Sequence, residues 1–430
     1  MADPELVRYT LDNGLRVVLA PDATAPVVGV SVHYDVGFRS EPEGRTGFAH
    51  LFEHLMFQGS ESLEKLAHFR HVQSSGGTFN GSTHPDYTDY FEVLPSAALE
   101  RALFLEADRM RAPKLTAENL ANQIDVVKEE IRLNVLNRPY GGFPWITLPP
   151  VLYSTFPNAH NGYGGFEDLE SATVEDCAAF FDTYYSPANA VLTVAGDFEV
   201  DTAKKLIEDH FGDVPHRPAP QRPSFAEPLP TTELRGEIED AHAPLPALGI
   251  GYRMPDPIND VDSYLAYLVL AGVLTDGDGS RLQQRLVHRE PLVVDIGAGA
   301  GLFGPFEARD PDTFTITLIH PHEVPRERVL AALDDELEKL AETPPSEEEL
   351  RKVTARWAAS LHSEHDRLVS RTLALGSFEL LYGDASLVYR LADRMSAVTA
   401  EAVSAAAKAL RPDARAVLVV KPASEGNNEQ

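Results

Sequence analysis

Hydrophobic and polar positions change their period several times along this chain, and each change marks an element. From Glu5 to Leu19 they alternate around Asp12-Asn13-Gly14, which predicts two strands joined by a hairpin turn. Pro26 to Tyr34 carries the β-branched run Val-Val-Gly-Val-Ser-Val-His-Tyr and predicts a further strand. Between Gly47 and Phe57 the apolar residues recur at helical spacing, with no Gly or Pro after Gly47, so a buried helix is expected. Helices are also predicted over Leu63–Val72, Ala97–Met110, Thr116–Asn137, Thr173–Tyr185 and Thr202–Phe211. Gly-rich Ser74–Thr83 leads into a strand ending near Pro95, and Ala190–Gly196 reads as another.

Near the midpoint the pattern stops. Residues 216–235 hold too many prolines for regular structure and read as a semi-rigid, extended linker. Beyond it the plan repeats. Pro246–Tyr252 echoes Pro26–Val32, and Ala416–Val420 echoes Ala190–Val194. The expectation is an α+β protein of two similar units, an N-terminal domain (1–215) and a C-terminal one (236–424), with a disordered tail (425–430).

Composition narrows the function. With 66 acidic against 37 basic residues the formal net charge is −29, which argues against nucleic acid as a partner and gives basic peptides a mild advantage. The single cysteine, Cys177, excludes an intrachain disulfide framework and is expected to be an inert core residue. The longest apolar run, Tyr264–Leu274, is too short to span a bilayer, so no membrane association is expected. The first residues show neither a basic nor an apolar signal region, and a cytoplasmic location is expected.

Chemistry enters with the Gly47–Phe57 helix. His50 and His54 lie one turn apart, so both imidazoles point the same way, and Glu53 falls on nearly the same face. Two imidazoles with a carboxylate suit zinc, and His-x-x-Glu-His is the inverted form of a zinc-peptidase motif. A catalytic zinc needs a third protein ligand. The Thr116–Asn137 helix offers Glu130, set between Val127 and Ile131 on the side that Val126, Val127 and Ile131 mark as buried. Glu129 projects about 100° away. The opposite half carries only an apolar helix at the corresponding place, so one half alone is a candidate for chemistry.

These residues resemble the inverse-motif zinc peptidases of the insulinase, pitrilysin and mitochondrial-processing-peptidase family, in its two-domain class. The likeness covers nearly the whole chain. It rests on His50-x-x-Glu53-His54, on Val126-Val127-x-Glu-Glu130-Ile131, on Gly76-Gly77-x-x-Asn80 before a strand, and on Asp197 after Ala190–Gly196. The resemblance implies Zn2+ held by His50, His54 and Glu130, with Glu53 as general base. It implies two homologous domains, each a mixed, mostly antiparallel sheet packed by helices. It also implies that pairs of chains close around a peptide substrate. The segment from Gly77 to Tyr90, with Gly77 and Asn80 near its start, is then expected to offer an edge strand to which an extended peptide adds.

Two departures from the family pattern matter. Where many members carry a second Glu that supports the metal site, this chain has Gln123. Complete enzymes also carry an Arg and a Tyr seven residues apart after a Ser-Arg-Leu helix. Here Ser280-Arg281-Leu282 is present, but the two positions hold Val287 and Val294, which donate no hydrogen bond to developing negative charge. Arg285 and Arg289 lie nearby as substitutes. The expectation is a zinc-bearing subunit whose homologous partner, lacking the zinc motif, supplies the Arg and Tyr. A homodimer and a non-catalytic, peptide-clamping subunit are the alternatives.

Overall fold

The computed structural model describes residues 6–423; the proposed tail lies outside the described residues. Eleven named strands form two sheets. The first contains β1 (Val7–Thr10), β2 (Arg16–Pro21), β3 (Val27–Tyr34), β4 (Thr78–Thr83), β5 (Thr88–Pro95) and β6 (Ala190–Gly196), in the order β1-β2-β6-β3-β5-β4. The second contains β7 (Leu234–Asp240), β8 (Ala247–Arg253), β9 (Asp295–Ala300), β10 (Thr313–Ile319) and β11 (Arg415–Pro422), in the order β7-β11-β8-β10-β9.

The repeat seen in the sequence is explicit in the pairing. In the first sheet β6 runs parallel to β2 and antiparallel to β3, and β3, β5 and β4 follow antiparallel. In the second, β11 runs parallel to β7 and antiparallel to β8, and β8, β10 and β9 follow antiparallel. The five strands match one for one, and β1 is the first sheet's addition. Both sheets are mixed and mostly antiparallel, as expected.

The compact units do not follow chain order. One comprises 1–128, 162–223 and 361–391; the other comprises 129–161, 224–360 and 392–430. The sequence placed 129–161 with the first domain and 361–391 with the second, so two segments differ from that reading. The physical reason is where their apolar faces are buried. Leu148, Leu152 and Tyr153 pack with Ala416 and Leu418 of β11. The helix Leu368–Tyr382 lies on β3, β5 and β6 of the first sheet. Its Gly376 comes so close that an added Cβ would sit 2.4 Å from Nδ1 of His33, so only glycine permits the contact.

The stretch read as one strand from Gly77 is a hairpin, β4 and β5, turned at His84–Tyr87. Pro85 and Asp86 supply the turn chemistry, and a buried Arg39 clamps it, Nε donating to Asp86 Oδ1 at 2.9 Å and Nη2 to Oδ2 at 2.5 Å. Of this hairpin only β4, Thr78–Thr83, lies at an edge of the sheet. In the proline-rich stretch no regular structure forms from residue 216 to 233, and β7 begins inside the expected linker.

Candidate metal centre

Four helices of the first half carry most of the clustered His and Glu side chains: α1 (Phe48–Leu55), α2 (Ala67–Ser74), α3 (Leu99–Arg111) and α4 (Ala117–Ile131). The boundary between the compact units falls inside α4, between Lys128 and Glu129. Glu130 is thus carried by the same unbroken helix that anchors in the first unit through Leu120 and Val127.

α1 starts at Gly47, whose φ is 80° and whose Cβ would meet the Tyr163 carbonyl oxygen at 2.4 Å. A glycine is required on both counts. The helix's first amides are capped from a distance: buried Glu41 accepts from the Gly47 and Ala49 N–H groups at 2.9 and 2.7 Å. Phe48, Leu51, Phe52 and Leu55 face the core, with Phe52 against Phe180, Phe181 and Tyr185. That packing fixes the helix's rotation and turns His50, Glu53 and His54 to the other face, where all three are half-buried.

His50, His54 and Glu130 converge. One ligand atom from each lies within 4.8 Å of the others, and the two Nε2 atoms are 3.3 Å apart. Ligand atoms about 2.0–2.1 Å from a tetrahedral zinc are about 3.3 Å from one another, so this donor set fits the ion. The imidazole planes are at 90°, and the Tyr163 ring stands 5.1 Å from that of His50. Glu53 sits beside them and accepts a hydrogen bond from Thr83 Oγ1 at 2.6 Å. Glu129, which projects away from this face, is exposed and pairs with Arg132 at 3.1 Å.

Other predicted residues fall as follows. Val126 is 42% exposed, so the buried stripe of α4 is narrower than its sequence suggested: Val127 and Ile131 make it, and Val126 does not. Gln123 is buried two turns before Glu130, and its amide donates to Asn122 at 2.9 Å. Gly77 packs its backbone where a Cβ would come within 2.4 Å of Leu94, while Asn80 is exposed on the edge strand. Cys177 is buried, and burial pushes its thiol up to about 12. In the second unit Val294 is 55% exposed and Val287 partly covered. Arg285, one of the two substitutes, is occupied by Glu290 and Asp335 at 3.3 and 3.0 Å; Arg289 is exposed.

Sequence reasoning missed Thr83, Glu41 and Tyr163. Thr83 had one available signal: it shares β4's parity with Gly81, and both face α1. Glu41 gave none, because its role depends on a loop bringing it back over Gly47.

A second group, His68, Glu92 and Glu106, also brings ligand atoms within 4.8 Å, and it is fully buried. Arg109 already grips Glu106 through Nε at 2.9 Å and Nη2, and its guanidinium lies 4.3 Å from the Tyr90 ring centre. His68 Nε2 is 2.7 Å from Glu92. Burial raises the carboxyls of Glu92 and Glu106, against the pull of Arg109, and burial with Arg109 lowers His68 to about 3. Two carboxylates with one guanidinium are neutralised by a single proton. A divalent ion would leave this dry site with excess positive charge.

Sheet, helix and donor set together form a candidate metal centre on an α+β repeat. Residues 16–138 match the family described as Insulinase (Peptidase family M16), and residues 171–356 match the Peptidase M16 inactive domain. The chain belongs to this M16 family. It is 30% identical to Zinc protease PqqE of Helicobacter pylori over 292 residues, spanning 67% of this chain and 65% of that one. It is 25% identical to Uncharacterized zinc protease YmxG of Bacillus subtilis, over 96% and 98% of the two chains. Subunit 1 of the human mitochondrial cytochrome b-c1 complex is 27% identical, over 59% of this chain and 54% of that one. The crystal structure of a protease from Helicobacter pylori superposes with a TM-score of 0.89 at 25% identity, covering 97% of this chain and 100% of that one.

Proposed function

We propose that this chain is a zinc-dependent endopeptidase subunit that cleaves unfolded or short peptides in a chamber formed with a second, homologous chain. The convergence of His50, His54 and Glu130 beside Glu53 carries this reading. His50, His54 and Glu130 would hold the metal. Zinc bound there supplies electrophilic polarisation of the scissile carbonyl and activation of water. Glu53 takes the proton from the attacking water and delivers it to the leaving amine. The β4 edge aligns the extended peptide by main-chain hydrogen bonds, with Gly77 letting the strand begin close against Leu94 and Asn80 displayed beside the bound chain. Gln123 takes the position that supports the metal site, without adding a second charge near the metal.

The partner is proposed to be a homologous chain lacking the zinc motif, because Val287 and Val294 offer no donor to an oxyanion. In this reading 1–215 and 236–424 are the two homologous halves. A cytoplasmic location belongs to the same reading and is checked by cell fractionation; no helix among the described residues is long and apolar enough to cross a membrane. A net charge of −29 favours basic peptides by steering. The test is cleavage of a fluorogenic peptide by the chain alone and with a co-encoded homologue. Activity appearing only with the homologue, and lost in Glu53→Gln, supports the reading. Full activity from the chain alone contradicts the division of labour.

The same pair of valines favours a second reading, a non-catalytic subunit that clamps peptides. Tight peptide binding without bound metal distinguishes it.

A further inference from the structure

Edge strand β4 presents two faces of different use. Phe79, Gly81 and Thr83 point toward α1, and Asn80 is exposed. Phe79 packs on Phe57 and His68, with ring centres 5.7 and 5.6 Å apart. At Gly81 an added Cβ would lie 3.2 Å from Glu53 Cγ, so the strand backbone itself touches the Glu53 stem. Two residues on, Thr83 Oγ1 donates to Glu53 Oε2 at 2.6 Å.

Three observations make this more than a chance contact. Thr is stiff at χ1, so its hydroxyl goes where the strand puts it, whereas Glu has three torsions to fix. The strand end is itself immobilised. Thr83 pairs with Thr88, whose hydroxyl donates to the Val36 carbonyl at 2.9 Å, and the adjoining turn is clamped by Arg39 and Asp86. Lastly, the short distance and the charged acceptor place this bond among the stronger hydrogen bonds.

Resting on the peptidase reading above, we propose that Thr83 is a positioning residue for Glu53, through which the strand that receives the peptide also sets the orientation of the general base. Loss of the hydroxyl removes the strand's hold on the Glu53 carboxylate and loosens its orientation toward the substrate. The defect then falls on kcat, because peptide docking on the β4 backbone is untouched.

The experiment compares Thr83→Val, Thr83→Ser and Glu53→Gln in peptide hydrolysis by the chain with its homologue, with zinc content measured for each. Thr83→Val is expected to lower kcat about ten- to a hundredfold, with KM within about twofold. Zinc content stays at the wild-type value, and Thr83→Ser restores most of kcat. In parallel, thermal unfolding of the zinc-free chain is measured for Thr83→Val, Glu53→Ala and the double variant. Non-additive shifts in Tm are expected, because each single change removes the same bond. Wild-type kcat in Thr83→Val, or strictly additive Tm shifts, overturns the proposal. Undiminished hydrolysis by Glu53→Gln instead overturns the peptidase reading itself.

Discussion

Glu41 Oε1 lies 2.7 Å from the backbone nitrogen of Ala49, one residue before the first motif histidine. Its second oxygen takes the Gly47 amide at 2.9 Å. One buried carboxylate therefore satisfies two of the four orphan amides at the start of α1 and places negative charge at the positive end of the helix. Glu41→Ala leaves those amides buried without this acceptor. The expected cost is about 1–3 kcal/mol of stability, read by urea unfolding. Zinc affinity should fall with it, since the first turn of α1 carries His50.

The buried carboxyls predict a pH signature. Burial holds Glu92 at about 7 against an ordinary 4.5. Between these values the folded chain keeps a proton that the unfolded chain has released, so this group makes stability fall as pH rises from about 4.5 to about 7. His68 acts oppositely: with a folded value of about 3 against 6.5, it makes stability rise as pH rises through that interval. Comparing Glu92→Gln with the wild-type chain isolates the carboxyl. The variant should match the wild type near pH 5 and be more stable at pH 8, by about 2 kcal/mol. Equal stability at both pH values would show that Glu92 carries no retained proton.

Glu106→Gln should behave differently. It removes the charge that Arg109 grips and leaves a fully buried guanidinium short of its partner. A loss of about 3–5 kcal/mol is expected near neutral pH, read as a lowered midpoint in denaturant.

Val287 and Val294 give a gain-of-function prediction. If the missing Arg and Tyr limit the isolated chain, Val287→Arg combined with Val294→Tyr should raise its peptidase rate without a partner, by about tenfold or more. Val294 is 55% exposed, so a tyrosine fits there without repacking, and Val287 is only partly covered. No change in rate would place the limitation elsewhere.

The parts of the fold legible from sequence were those with strong local periodicity. α1, α3, α4 and β3, β6, β8 and β11 stand where their patterns put them. The repeat of two sheets was visible because β3 and β8, and β6 and β11, share both sequence and pairing. The β4–β5 turn was missed because a His-Pro-Asp-Tyr turn closed by a distant Arg39 carries little local signal. The exchange of segments between compact units was not legible either. An apolar helix states that it will be buried, not which sheet will bury it, and Leu368–Tyr382 and Leu148–Tyr153 chose the sheet built mainly from the other half of the chain. At the site, spacing alone placed His50, Glu53 and His54 on one face, whereas Thr83 and Glu41 reach them only through tertiary contacts.

The central claim is that two imidazoles from α1 and one carboxylate from α4 close on a single ion. It is tested most directly by metal analysis of the purified chain beside Glu130→Ala, after dialysis against buffered zinc. The account predicts about one zinc per wild-type chain and affinity weakened by orders of magnitude in Glu130→Ala, with folding retained. A wild-type chain that holds no zinc, or a Glu130→Ala chain that holds it equally well, would contradict it.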